Sequence, residues 1–97
     1  MNYRVEIAKK AKKELDSLPI NTQESIAEGI GLLGNDPDNP ALDIKKLKND
    51  PEADYRLRIG SYRIKFDRHN TIKIISIINS WRNKFNPKFN SSKQNFM

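Results

Sequence analysis

The sequence contains no cysteine and a single histidine, His69. Disulfides and thiolate sites for zinc or iron–sulfur are thereby excluded, and one imidazole is too few for a His-based metal centre or an ordinary Ser-His-Asp arrangement. Long apolar runs are missing as well. No stretch approaches the roughly 18 consecutive apolar residues of a membrane span, and Met1 to Lys13 is charged where a signal peptide carries its apolar segment. The expectation is a soluble, cytoplasmic chain with no metal, no cofactor and no membrane partner. Acid is absent from the last part of the chain. Met1 to Asp67 holds 12 Lys/Arg and 12 Asp/Glu, whereas Arg68 to Met97 holds 6 Lys/Arg and none, so the whole surplus of +6 is C-terminal. With a pI near 9.7, that asymmetry points to a polyanionic partner, either nucleic acid or an acidic protein segment.

What is present suffices for one small core. The 97 residues are 36% hydrophobic and 31% charged, with a mean hydropathy of −0.79. A chain of this size holds one domain and leaves no room for a second catalytic lobe. Residues 1–85 are read as that domain, and 86–97, made of Asn, Lys and Phe without period, as a basic tail expected to be disordered on its own.

Tyr3, Val5 and Ile7 alternate with Arg4 and Glu6, the period of a half-buried strand. Ala8, Ala11, Leu15 and Leu18 then recur at helical spacing with four lysines on the opposite side, until Pro19. Asn21 and Glu24 form a candidate capping box for a second helix through Ile26, Ile30 and Leu33, with Gly34 as its C-cap and Gly29 and Gly31 weakening its regularity. A short strand is expected over Ile44 to Lys48. Tyr55, Leu57 and Ile59 alternate with Arg56 and Arg58; Gly60 and Ser61 make a two-residue turn; Tyr62, Ile64 and Phe66 alternate with Arg63 and Lys65. After a turn at Arg68 to Asn70, the isoleucine-rich Thr71 to Asn79 reads as a central strand buried on both faces.

A turn at Gly60-Ser61 fixes a register in which Arg58 opposes Arg63 and Arg56 opposes Lys65, on the side away from the apolar row. Like charges so paired destabilise a sheet unless an anion or a carboxylate sits among them. The arrangement suits a phosphate-binding surface, with Trp81, Phe85 and Phe89 near Arg82 as faces for base stacking.

These elements resemble the RelE/ParE superfamily of type II toxins. The likeness spans Tyr3 to about Phe85 and is carried by Leu47, by the Tyr55-Arg56-Leu57-Arg58 stretch with its Gly60 turn and Tyr62-Arg63, and by Ser80-Trp81-Arg82. It implies an α+β fold: an N-terminal strand and a two-helix hairpin packed on one face of a twisted, mostly antiparallel sheet of about four strands, the first strand at or near an edge. It also implies catalytic cations at Arg56, Arg58, Arg63 and Arg82, and substrate contacts at Lys65, Trp81, Lys84 and Phe85. The family's usual C-terminal tyrosine is absent here, the nearest aromatics being Phe85 and Phe89, and Trp81 stands where a histidine is common.

The RelE-like branch implies a metal-independent endoribonuclease that cuts mRNA on the ribosome, silenced by an antitoxin in a hetero-oligomer. The ParE-like branch implies a poison of DNA gyrase, and a degenerate member would only bind its antitoxin. Attack of a 2′-hydroxyl on the adjacent phosphate needs charge neutralisation, which Arg58, Arg63 and Arg82 suit, and a proton acceptor. Lys65 is the hairpin lysine placed to act as one if neighbouring cations or burial depress its pKa; His69 lies at the other end of its strand.

Overall fold

The computed structural model of the chain describes residues 2–82, and at Trp81 and Arg82 the backbone alone. Lys84, Phe85, Phe89 and the tail read over 86–97 lie outside the described residues. The order of elements is β1 (Arg4–Ile7), α1 (Lys9–Asp16), α2 (Ile20–Asn35), β2 (Asp43–Lys46), β3 (Tyr55–Ile59), β4 (Tyr62–His69) and β5 (Ile74–Arg82). Five strands, rather than about four, form one sheet in the order β1-β5-β4-β3-β2. The first strand is at an edge, parallel to β5, and every other pairing is antiparallel.

Helix α1 buries Ala11 and Leu15, four residues apart on one side, and leaves Lys9, Lys10, Lys12 and Lys13 exposed. The Gln23 side-chain amide donates to the carbonyls of Leu18 at 2.8 Å and Asp16 at 3.1 Å, tying the start of α2 to the end of α1. The capping box expected at Asn21 and Glu24 does not form. Pro19 is the N-cap residue, with no side-chain cap, because the helix begins one residue before Asn21. Nor is Gly34 the C-cap; α2 runs on to Asn35 and Gly34 is buried in its last turn. A Cβ there would stand 2.8 Å from Val5 Cγ2, and the Gly34 carbonyl accepts the Tyr3 N–H at 2.7 Å. Glycine at this position lets α2 lie directly on β1.

Both helices cover one face of the sheet. Ala11, Leu15, Ile26, Ile30 and Leu33 pack on Leu57, Ile64, Phe66, Ile75 and Ile77, and Tyr55 stacks on Phe66 at 5.4 Å between ring centroids. Strand β5 departs from expectation in three ways. It begins three residues later than Thr71, so Ile72 lies in the turn and is 66% exposed; Lys73, with φ of +58°, closes that turn. It is buried on alternate residues rather than on both faces, because the helices shield a single side. It also carries an extra residue, Ile78, opposite the Lys65–Phe66 step of β4, a bulge that keeps Ile77 and Ser80 both on the core side. Beyond Ile77, where β1 has ended, the Ser80 N–H donates to the Glu14 carboxylate at 3.3 Å.

At the far end of β4, Arg68 is neutralised within the fold. It donates to Asp38 at 2.9 and 3.3 Å and to Asn70 at 2.8 Å, which holds the Asp38 carboxyl below its ordinary range and the guanidinium above its own.

Candidate nucleic-acid interface

The hairpin register is the one that the alternation implies. Arg58 pairs with Arg63, Arg56 with Lys65, Leu57 with Ile64, and Tyr55 with Phe66. Gly60 takes φ of +58° at the turn and Ser61 is not among the positive-φ residues, the pattern of a type II′ hairpin. Apolar side chains thus point to the helices and cations to the opposite face, which no helix among the described residues covers.

Adjacent strands extend these pairs into two rows across that face. One row runs Asp43, Arg58, Arg63 and the backbone position of Trp81; the next runs Lys45, Arg56, Lys65 and Asn79. Among the described residues, these two rows bring together five cations, and three carboxylates that the pattern of β3 and β4 alone could not reveal lie against them. Asp43 lies 3.3 Å from Arg56 and 3.7 Å from Arg58, while Asp50 and Glu52, from the loop before β3, each approach Lys65 Nζ at 2.8 Å. Lys45, opposite Arg56, is a further exposed cation that sequence reasoning missed, since its row is visible only once β2 is paired.

The two rows differ in how far they are neutralised. Lys65 is gripped by Asp50 and then Glu52, which raises its pKa above the ordinary lysine value despite partial burial. Its anticipated part as a lysine with a depressed pKa is thus overturned: carboxylates, not cations, are its nearest charged neighbours. The same contacts lower both carboxyls, Asp50 through Lys65 and the Glu52 N–H, Glu52 through Lys65 and the Asn79 amide. In the other row Arg58 is 53% exposed and only loosely paired. Among the described residues no carboxylate comes within salt-bridge distance of Arg63; its Nη1 donates at 3.3 Å to the carbonyls of Gly60 and Tyr62. The turn end of the face is thus where cationic charge is least compensated, and a guanidinium pair is suited to gripping phosphate.

Of the other sequence candidates, backbone register sets Trp81 opposite Arg63 on this face but Arg82 opposite Tyr62, in the helix-facing row. His69 ends β4 opposite Ile74, remote from the arginine row. Lys84, Phe85 and Phe89 are outside the described residues. No group of three or more potential metal-ligating side chains occurs among the described residues.

No family model matches the chain. A protein of Methanocaldococcus jannaschii named as a RelE1 toxin is 37% identical over 67 residues, which cover 68% of this chain and 73% of that protein. The chain belongs to the RelE family of toxins. The RelE fold is shared across the solved structures. A RelE–RelB complex from Pyrococcus horikoshii matches with a TM-score of 0.74 and 31% identity, covering 88% of this chain and 99% of the other. A RelB–RelE antitoxin–toxin complex from Methanococcus jannaschii matches with a TM-score of 0.64 and 29% identity, covering 80% and 89%. The shared fold covers the helical hairpin and the sheet together, over 88% of this chain in the Pyrococcus horikoshii complex.

Proposed function

We propose that this RelE-family toxin is a metal-independent endoribonuclease that cleaves mRNA on the ribosome and stops translation in the cytoplasm. The observation that supports this reading most directly is the cross-strand Arg58–Arg63 pair at the open end of the face. In the reaction, the 2′-oxygen bonds to the adjacent phosphorus, its proton passes to an acceptor, and the P–O5′ bond breaks as the leaving oxygen gains a proton. A cyclic phosphate and a 5′-hydroxyl result. Arg58 and Arg63 neutralise the extra charge on the phosphorane, the electrostatic contribution that dominates such steps. Arg56 and Lys65, each already beside a carboxylate, and exposed Lys45 guide the flanking backbone, and Trp81, opposite Arg63 in the strand register, contributes a further substrate contact.

The partner proposed is an antitoxin, as in the RelE–RelB complexes that share this fold, and the silent form is a toxin–antitoxin hetero-oligomer. The test is to incubate the protein with mRNA, with and without ribosomes, alongside a gyrase supercoiling assay. Cleavage confined to the ribosomal samples, with supercoiling intact, is the expected result. Inhibited supercoiling with intact mRNA transfers the chain to the gyrase-poisoning reading, and silence in both assays leaves antitoxin binding as its sole activity.

A further inference from the structure

Lys65 has one more carboxylate than its charge requires, and the two are held differently. Asp50 is built into its loop: it accepts the N–H groups of Glu52 at 2.8 Å and Ala53 at 3.2 Å, and its side chain is 17% exposed. Glu52 is 39% exposed. Among the described residues its carboxylate accepts from two side chains, Lys65 at 2.8 Å and the Asn79 amide at 3.3 Å, and from no backbone N–H. Asp50, Lys65 and Glu52 together carry a net negative charge, inside a face whose neighbouring row is cationic.

We propose that Glu52 is a displaceable internal anion: a phosphate of a single-stranded RNA takes its place on Lys65 when the strand binds across the face. The proposal rests on the nucleic-acid reading of that face and adds to it a residue that sets affinity by competing with substrate. The chemistry is an exchange of one anion for another. Lys65 keeps Asp50 throughout, so the loop stays anchored while the phosphate gains the charge-assisted hydrogen bond that Glu52 gives up. Asn79, paired with Lys65 across β4 and β5, turns its amide from the carboxylate to the incoming backbone; among the described residues its own Oδ1 is buried without a hydrogen-bond partner. In the empty protein Glu52 offsets the mutual repulsion of Arg56 and Lys65, which face each other directly.

The test uses the full chain and a single-stranded RNA oligonucleotide fully 2′-O-methylated, which cannot be cleaved because its attacking hydroxyl is blocked. Binding is followed by fluorescence anisotropy over a salt series for the wild type, Glu52→Gln and Glu24→Gln. The last makes the same change of charge on the exposed side of α2. Glutamine keeps a hydrogen-bond acceptor for Lys65 and Asn79, and thermal melts establish that each variant is folded. Glu52→Gln should bind roughly fivefold tighter at low salt, the scale of one like charge removed beside a bound phosphate. Its log–log salt slope should match that of the wild type, because Lys65 takes the same phosphate in both proteins; a slope steeper by about 0.7 would mean that the wild type leaves Lys65 on Glu52. Glu24→Gln should match the wild type. Equal or weaker binding by Glu52→Gln, or an equal gain in Glu24→Gln, overturns the exchange while leaving the RNA face standing. Absence of binding by all three proteins overturns the exchange by showing that the face does not hold a free strand, while the ribosome assay decides the RNA face separately.

Discussion

At the scale of single residues, the face divides by what each cation already touches. Arg58 and Arg63 oppose each other at the turn end, one loosely paired and the other, among the described residues, without a carboxylate partner and donating to the carbonyls of Gly60 and Tyr62. Replacing either with Ala should lower ribosome-dependent cleavage at least ~100-fold, the scale of losing one oxyanion donor. Stability should shift by less than about 0.5 kcal/mol, as for most surface positions; a calorimetric melt beside the cleavage assay separates the two effects. Full toxicity in the Arg58→Ala, Arg63→Ala double variant would sink the mechanism. The second row predicts a pH profile. Asp50 and Glu52 titrate below their ordinary range in the folded chain, chiefly through Lys65. What they add to stability is therefore complete above about pH 5 and lost as acid carries the pH through their folded values. Lys65 titrates above its ordinary range, chiefly through Asp50, so its contribution is complete below about pH 10 and lost as the pH rises through its folded value. Melting temperature should be level between those limits and fall at both ends, and Asp50→Asn should flatten the acid limb. An acid limb unchanged in that variant would mean that other carboxylates, Asp38 among them, set it.

At the scale of elements, two glycines of α2 should answer the same substitution with opposite signs. A Cβ at Gly34 meets Val5 at 2.8 Å, whereas one at Gly31 meets nothing within 4 Å. Gly34→Ala should destabilise, since overpacking costs about 1–3 kcal/mol against a helix gain of roughly 1 kcal/mol, while Gly31→Ala should stabilise by up to that amount. Urea denaturation of both variants measures the difference, and a stabilised Gly34→Ala would show that β1 yields easily. The same element explains what was legible beforehand. The hairpin register could be read because a turn at Gly60-Ser61 pins a strict period-2 alternation, and any one-residue slip would turn Arg58 and Arg63 into the core. The start of α2 could not, because Pro19 accepts the N-cap position that a capping box would give Asn21. Within β5, Ile74, Ile75, Ile77 and Ile78 are interchangeable in pattern, so neither the bulge nor the first strand residue leaves a mark in the sequence. Asp43, Asp50 and Glu52 were invisible as site residues for another reason: they reach the face by chain closure, from an edge strand and a loop, and no periodicity links them to Lys65.

At the scale of the whole molecule, charge and apolar surface lie on different sides. The cationic rows occupy the uncovered face of the sheet, while Val5, Ile7, Leu15, Ile26, Ala27 and Ile30 line a groove of about 430 Å³ between β1 and the helices. An antitoxin could read either. The two cationic rows, in a chain of net charge +6, favour an acidic segment drawn to the sheet face by long-range attraction. A segment that folds on binding would bury roughly 1,000–3,000 Å², so it could continue onto the apolar groove after the electrostatic encounter. The charge-led order of events makes the affinity sensitive to salt, because the Debye length shrinks from about 10 Å at 0.1 M to about 3 Å at 1 M. Titration calorimetry with the antitoxin at those two concentrations should therefore show a markedly weaker complex in the higher salt, with a large negative heat-capacity change in both. Equal affinities would place the recognition in the groove of β1 and the helical hairpin, and substitutions such as Ala27→Asp would then abolish binding where Arg58→Ala would not.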